Sequence, residues 1–132
     1  MLDCILFVDD DVATNYLNKR LVKKLGITDR VVFCKNGKEA LDYLNDPAAE
    51  GYVRPSLIFL DINMPVMDGF EFLQAYEKLS ADRQASQVVV MLTTSLLDTD
   101  QQKAEGFGVA EYMDKPLTEA KLHAIISTYF AV

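Results

Sequence analysis

Short apolar runs alternate with longer amphipathic segments along the chain. Five runs have the length of a β-strand, and they cover residues 4–8, 31–34, 56–60, 88–92 and 111–113. The first four are almost continuously apolar, which is typical of strands buried on both faces of a parallel sheet. We therefore predict five parallel strands.

A segment with helical spacing of apolar residues follows each predicted strand. These helices are predicted at residues 12–25, 37–45, 69–79, 97–105 and 118–130. In the first of them, the stripe predicted to face the core consists of Val12, Tyr16, Leu17, Leu21 and Leu25.

Capping residues support most of these boundaries. Gly26 is placed to end the first helix, Asn36 to begin the second with Glu39 in a capping box, and Thr118 to begin the last. Ser95 and Asp98 lie near the predicted start of the fourth helix, and Gly106 closes it. Asp11 is predicted to cap the first helix, and Asp68-Gly69 to form the turn that starts the third.

The alternation of strands and helices predicts an α/β fold with a doubly wound five-stranded parallel sheet and helices on both faces. Residues 1–132 contain no repeat, low-complexity tract or linker, so we expect a single domain with no output domain attached. In such sheets, ligands bind outside the carboxyl ends of the strands. The polar residues that follow the strands are therefore the candidates for function.

Composition narrows the possible partners. Half of the 132 residues are hydrophobic and 25% are charged, as in ordinary globular proteins, but the formal net charge is -7. This acidity argues against binding to nucleic acid or to an anionic membrane surface. The sequence shows no signal peptide and no apolar run of membrane-spanning length. Cys4 and Cys34 lack the spacing of metal ligands, so we expect reduced core thiols and a cytoplasmic protein.

Five polar residues lie at the carboxyl ends of the predicted strands. They are Asp9, Asp10, Asp61, Thr93 and Lys115. Clustered carboxylates disfavour one another's ionisation unless a cation lies among them, and Mg²⁺ prefers such oxygen ligands. An aspartate can also act as a covalent nucleophile and form an aspartyl-phosphate. The set therefore indicates a Mg²⁺-dependent phosphoryl-transfer site.

Taken singly, each of these residues also has a structural interpretation. Asp9 and Asp10 could be a helix cap and a solvated charge beside the helix dipole. Thr93 could be a β-branched residue that ends a strand, and Lys115 an exposed lysine. Tyr112, three residues before this lysine, could be a packing residue alone.

Four motifs, in order and spacing, resemble the receiver domain of bacterial two-component response regulators, in particular the stand-alone, chemotaxis-regulator-like type. An acidic pair follows the first strand, "DINMPVMDG" follows the third, "TTS" ends the fourth and "KP" follows the fifth. The resemblance covers essentially the whole chain. It implies the flavodoxin-like strand order 2-1-3-4-5.

The resemblance also implies a role for each site residue. Asp61 would accept a phosphoryl group from a sensor histidine kinase or a histidine phosphotransfer protein. Asp10 would bind Mg²⁺ directly, Asp9 partly through water, and Asn63 through its backbone carbonyl. Lys115 would pair with Asp61 and then with the phosphoryl group.

The same resemblance implies that Thr93 and Tyr112 are switch residues, which would move when Asp61 is phosphorylated. The Lys115–Pro116 bond is expected to be cis. The output face would consist of helix four, strand five and helix five and would bind a downstream target protein. The protein itself is expected to be a monomer or a weak dimer. Thr94 departs from the alanine or glycine found in many relatives.

A second class of function remains open. The chain could be a Mg²⁺-dependent phosphohydrolase with an aspartyl nucleophile on a similar sheet. The dehalogenase-like phosphatases resemble this arrangement, but they have D-x-D at the nucleophile, whereas Asn63 occupies the second acidic position here. A receiver domain, by contrast, would be a signalling protein rather than an enzyme. It would catalyse only its own phosphorylation and dephosphorylation.

Overall fold

A computed structural model describes residues 2–86, 88–94 and 97–130. Five parallel strands form one sheet in the order β2-β1-β3-β4-β5, which confirms the predicted fold class and strand order. The strands are β1 (Ile5–Val8), β2 (Val31–Cys34), β3 (Leu57–Leu60), β4 (Val88–Thr93) and β5 (Glu111–Asp114).

Helices connect successive strands and lie on both faces of the sheet. They are α1 (Val12–Leu25), α2 (Gly37–Leu44), α3 (Gly69–Tyr76), α4 (Asp98–Gly106) and α5 (Glu119–Tyr129), with a short 3₁₀ helix at Ala81–Arg83. Gly26 ends α1 in the left-handed region at φ 62°, where a residue without Cβ is not strained. The side chain of Thr118 accepts a hydrogen bond from the backbone N–H of Lys121 and so caps α5 as predicted.

Two hydrophobic clusters cover the two faces of the sheet. On one face, α2, α3 and α4 pack against strand residues that include Leu6, Val8 and Leu60. On the other face, α1 and α5 pack against residues that include Phe7 and Phe59. The central strands β1 and β3 are buried along their whole length, as their continuous apolar sequences predict.

The predicted core-facing stripe of α1 is wrong in its first half. Val12, Tyr16 and Leu17 are exposed by 60% to 75%, whereas Asn18 and Val22 are buried. The first two turns of this helix pass the polar end of β1, so residues that can hydrogen-bond face inwards there and apolar residues face outwards. Tertiary context overrides the periodicity at this position.

Two smaller expectations also differ from the structure. The third helix stops at Tyr76 rather than at residue 79. The Glu39 carboxylate accepts the backbone N–H of Lys35 instead of that of the capping residue, although the Asn36 side chain does cap α2. A capping box with both hydrogen bonds forms instead at the start of α3, between Asp68 and Glu71.

The fourth helix begins at Asp98, and Leu97 occupies the N-cap position without a side-chain hydrogen bond. Ser95, which was also predicted near this helix start, lies outside the described residues. Gly106 is the last helical residue and Phe107 follows it as the C-cap. Within the described ranges, we find no helix with the length and apolar character needed to cross a lipid bilayer.

Both cysteines are free and buried, as expected. Desolvation raises the pKa of the Cys4 thiol to about 11 and that of Cys34 to about 12. Since the thiolate is the reactive form, both thiols should react slowly at neutral pH.

We predict that a maleimide at pH 8 modifies Cys4 and Cys34 at least about a hundredfold more slowly in the native protein than in urea, because burial both blocks access and disfavours the thiolate. Intact mass spectrometry over time measures both rates. Rapid labelling of the native protein, with unchanged circular dichroism, would contradict the buried placement of these thiols.

Candidate phosphoryl-transfer site

Parallel pairing brings two aspartates side by side at the carboxyl end of the sheet. Asp9 follows β1 and Asp61 follows β3, and the last residues of these strands, Val8 and Leu60, are partners in the register. The backbone N–H of Asp61 donates to the carbonyl of Val8 at 3.0 Å. Asp9 and Asp61 are only 6% and 8% exposed, so both carboxylates lie largely out of water.

Asp10 completes a carboxylate cluster at the exposed rim. One oxygen from each of Asp9, Asp10 and Asp61 lies within 4.8 Å of the others. These three residues were predicted as metal ligands, and the fold brings all three together.

Lys115 contacts both buried carboxylates. Its Nζ lies 2.6 Å from Oδ2 of Asp9 and 3.2 Å from Oδ2 of Asp61. The side chain is 14% exposed, so this double ion pair is weakly screened. Lys115 was predicted to pair with Asp61, but its shorter contact is to Asp9.

Several contacts hold Lys115 in place. Its backbone N–H donates to the carbonyl of Thr93, and the Lys115–Pro116 peptide bond is cis, as expected. On α5, the Lys121 ammonium donates to the carbonyl oxygens of Asp114 and Pro116 on either side of Lys115. The loop between β5 and α5 is therefore fixed at both ends.

Burial and charge oppose each other at this site. Burial raises the pKa of Asp61, the charge of Lys115 lowers it, and the nearby Asp9 raises it; the net direction is upwards. For Lys115, burial alone lowers the pKa, but the hydrogen bond to Asp9 and the charges of Asp61 and Asp9 outweigh it, so the net pKa is raised. Lys115 is thus held in its charged form, while ionised Asp61 is disfavoured.

Asp11 caps α1, as predicted, and its carboxylate faces away from the cluster. It accepts the backbone N–H of Ala13 and the hydroxyl of Thr14, and the bond from Thr14 is the main cause of its lowered pKa. The backbone N–H of Asp11 donates to Oδ1 of Asp9 at 2.9 Å. The helix start therefore orients the Asp9 carboxylate.

The loop between β3 and α3 is closely packed against Asp61. The backbone N–H of Ile62 donates to Oδ1 of Asp61 at 2.8 Å, and that of Gly69 donates to the Ile62 carbonyl. A Cβ on Gly69 would lie 2.3 Å from the Asp61 carbonyl oxygen, so only glycine fits there. Val66 adopts φ 66°, an unfavourable region for a β-branched residue, and Asn63 lies exposed in this loop.

The two predicted switch residues lie on neighbouring strands. Thr93 is the fully buried last residue of β4 and is paired in register with Asp114. Tyr112 is half-buried on β5, opposite Met91, and packs against the cluster that α2, α3 and α4 cover.

Sequence reasoning missed two asparagines on the inner face of α1. The Asn15 Nδ2 donates to the backbone carbonyl of Asp9 at 2.9 Å, and Asn18 is buried one turn further on. A polar residue in a helical pattern is normally assigned to the solvent face, so periodicity alone could not find them. Their spacing of three residues was the available signal that they share a face.

The donor set fits a hard divalent cation. Three carboxylates meet one lysine, so negative charge remains at the rim where Asp10 is exposed. Carboxylate oxygens with room for water are the ligands that Mg²⁺ prefers.

Comparison with known proteins gives one consistent family. Residues 5–127 match the family model of the response regulator receiver domain. The probable methanogenesis regulatory protein FilR2 of Methanothrix harundinacea is 37% identical over 114 residues, which are 86% of this chain and 72% of that protein.

Two solved structures show the same fold. A two-component response regulator from Cytophaga hutchinsonii has a TM-score of 0.83 with 31% identity, covering 96% of this chain and 95% of that one. The Mn²⁺-bound form of response regulator Rcp1 has a TM-score of 0.74 with 28% identity, covering 94% of this chain and 88% of that one.

Many matched relatives are longer than this chain. It spans 51% of one transcriptional regulatory protein and 7% of one hybrid signal transduction histidine kinase. Similarity to these proteins therefore concerns this domain alone.

We predict that Asp61→Asn is more stable than the parent protein at pH 7 without divalent ions. The raised pKa means that ionised Asp61 lowers the free energy of unfolding, and this loss disappears as the pH falls to the range where Asp61 is protonated in both states. The gain should therefore shrink towards pH 4. Urea unfolding at both pH values measures it.

Asp29→Asn, at an exposed position, is the matched control and should change stability little at either pH. Addition of Mg²⁺ should stabilise the parent protein more than Asp61→Asn, because a ligand of the ion has been removed. A variant that is less stable than the parent at pH 7 would contradict the assigned balance of burial and charge.

Proposed function

Because the chain belongs to the family of response regulator receiver domains, we propose that it accepts a phosphoryl group on Asp61 from a sensor histidine kinase or a histidine phosphotransfer protein. The observation that carries this proposal is the buried Asp61 carboxylate, held by Lys115 beside Asp9 and the exposed Asp10. Asp9 is also held by Lys115 and by a backbone N–H, so the choice of Asp61 as the acceptor rests on its place after β3, in the segment that resembles the motif of the family.

In the proposed reaction, a carboxylate oxygen of Asp61 attacks the phosphorus of the donor phosphohistidine. The new O–P bond forms as the N–P bond breaks, and the electron pair of that bond goes to the imidazole nitrogen of the donor. Lys115 lies close enough to contact the transferred group, and its charge stabilises the phosphoryl oxygens. The hydroxyl of Thr93 is the proposed hydrogen-bond donor to another oxygen of the transferred phosphoryl group.

Asp10 and Asp61, with the backbone carbonyl of Asn63 and with Asp9 through water, are the proposed holders of Mg²⁺. When bound, the ion supplies positive charge that offsets the repulsion between the carboxylates and the incoming phosphoryl group. The excess of carboxylates over lysine at this site supports the assignment.

The proposed output is a change in the face formed by α4, β5 and α5. A phosphoryl group adds about -1.5 to -2 charge to Asp61 at neutral pH, and Lys115, Thr93 and Tyr112 lie on the two strands and the loop that lead to this face. We propose that a downstream protein reads this change and that the domain acts in the cytoplasm, where the family usually works.

The exposed apolar residues of α1 support a site for the phosphoryl donor. Val12, Tyr16 and Leu17 lie directly after the acidic cluster, and the Arg20 guanidinium lies 5.9 Å from the centre of the Tyr16 ring. The helix carries four basic residues and no acidic one, although the whole chain is acidic. These features fit a donor with an apolar contact surface bordered by carboxylates.

We predict that the protein incubated with Mg²⁺ and acetyl phosphate gains a single adduct of about 80 Da, one phosphoryl group, which Asp61→Asn does not form. Intact mass spectrometry measures the adduct. Fast multiple turnover of phosphomonoesters would instead favour the phosphohydrolase. The absence of any adduct at every Mg²⁺ concentration would refute the proposed acceptor.

We also predict that Leu17→Ser slows phosphoryl transfer from a cognate histidine phosphotransfer protein by about tenfold, as the loss of one buried interface side chain does. Reaction with acetyl phosphate should change less than about twofold, since this donor needs no docking surface. Rapid-quench measurement with both donors separates the two effects. Lys38→Ala, on the opposite face of the sheet, is the control, and equal slowing with both donors would contradict the docking role.

A further inference from the structure

The inner face of α1 carries an unexplained buried amide. Asn18 is 5% exposed, and its carboxamide makes no hydrogen bond to any residue in the described part of the chain. Burial of an amide without a partner is costly, and buried polar groups nearly always have one. The amide atoms of Asn18 are not completely enclosed by protein, so a solvent molecule can reach them as a partner.

A second unpaired group lies one turn away. The Oδ1 atom of Asn15 is buried and has no hydrogen-bond partner among the described residues, whereas its Nδ2 donates to the carbonyl of Asp9. Residues three apart lie on the same helix face, so both carboxamides point towards the end of β1. Among the described residues, this Oδ1 is the fully enclosed side-chain polar atom without a partner, and it lies close to the end of β1 and the carboxylate cluster.

A small cavity lies between Asn18 and this cluster. Its volume is about 10 Å³, and it is lined by Asn18, Asp9 and Asp61. The rest of its wall is apolar and comes from the ends of the three central strands: Phe7, Val8, Phe59, Leu60 and Leu92. This is about the space that one water molecule needs, and three polar residues can supply the two to four partners that a buried water makes.

We propose that Asn18 holds a single water molecule in this cavity and that, through this water, Asn18 acts as a positioning residue for the Asp61 carboxylate. The amide N–H of Asn18 donates to the water, and the water donates to the carboxylate side of the cavity. Any role in phosphoryl transfer rests on the proposed function of Asp61, whereas the presence of the water does not.

The existing contacts of Asp61 explain why another donor matters. Ile62 N–H and Lys115 each bind one of its oxygens, but a carboxylate has about four acceptor sites. A hydrogen bond from the proposed water would restrict rotation of the Asp61 carboxylate about its Cβ–Cγ bond. Lys115 cannot orient this carboxylate alone, because it is shared with Asp9. Correct orientation of the attacking oxygen is worth a large factor in rate.

The test compares Asn18→Leu with the parent protein. Leucine has a similar size but no hydrogen-bonding group, so the variant removes the amide from the cavity wall and leaves Asp9 and Asp61 as its polar residues. Reaction with acetyl phosphate at saturating Mg²⁺ should be slowed about three- to tenfold in the maximal rate rather than in the apparent affinity, as expected for one lost orienting hydrogen bond. Urea unfolding should show the variant to be at least as stable as the parent, because an unpaired amide has been replaced by an apolar group.

Two further variants separate positioning from packing. Asn18→Ser keeps a hydroxyl and room for water, and should restore the maximal rate to within about twofold of the parent. Val22→Ala, on the same helix face but outside the cavity wall, should lower the urea concentration at the midpoint of unfolding, because a buried side chain is shortened, and should leave the maximal rate unchanged. If Val22→Ala slows the reaction as much as Asn18→Leu does, the positioning role is overturned.

A high-resolution crystal structure of the unphosphorylated parent protein tests the water itself. Density for one water within hydrogen-bond distance of Asn18 and of Asp61 or Asp9 supports the proposal, and its absence overturns it. A parent-like maximal rate in Asn18→Leu also overturns the positioning role. If the parent forms no adduct with acetyl phosphate, the proposal that Asp61 accepts a phosphoryl group is refuted. The crystal structure still decides whether the water site exists.

Discussion

The contact of one lysine with two buried carboxylates is the interaction on which the site depends. Parallel pairing of β1 with β3 brings Asp9 and Asp61 together where little water screens their charges. Lys115 supplies one positive charge to this pair, and Asp10 adds a third carboxylate at the rim. The sheet therefore folds around a site that stays negatively charged, and this residual charge is the physical basis of its affinity for a divalent cation.

The same lysine connects the carboxylates to the far side of the sheet. Its backbone is bound to the end of β4 through the Thr93 carbonyl, and Lys121 on α5 holds the loop on both sides of it. A change of charge at Asp61 alters the force on Lys115 and so acts on β5 and α5. A contiguous set of bonded groups thus exists between the proposed acceptor and the proposed output face, along which energetic coupling can be carried.

Much of the fold could be predicted because its signals are local. Continuous apolar runs identify the buried strands, and Gly26, Asp68 and Thr118 mark helix ends through chemistry that acts within a few residues. Asp9, Asp10, Asp61 and Lys115 were predicted from the rule that ligands meet the carboxyl ends of parallel strands, and the fold brings these four together. Asn63 and Tyr112 were predicted from the family resemblance alone. The division of Lys115 between Asp9 and Asp61 could not be predicted, since it depends on distances between three loops that the sequence does not encode locally. The extent of the domain within its protein stays a prediction.

The error on α1 has a physical cause that extends beyond this helix. Periodicity assumes that the inner face of a helix meets an apolar core, but the first half of α1 meets the polar end of β1 instead. Asn15 and Asn18 therefore face inwards, where Asn15 donates to the Asp9 carbonyl and Asn18 lines the small cavity beside Asp9 and Asp61. Tyr16 and Leu17 face solvent. An exposed apolar surface on an otherwise acidic domain carries a cost in solubility that a partner can remove by covering it. The inverted pattern therefore borders the carboxylate cluster on two sides: the amides lie close to Asp9 and to the proposed acceptor Asp61, and the apolar residues follow the cluster on the exposed surface of α1.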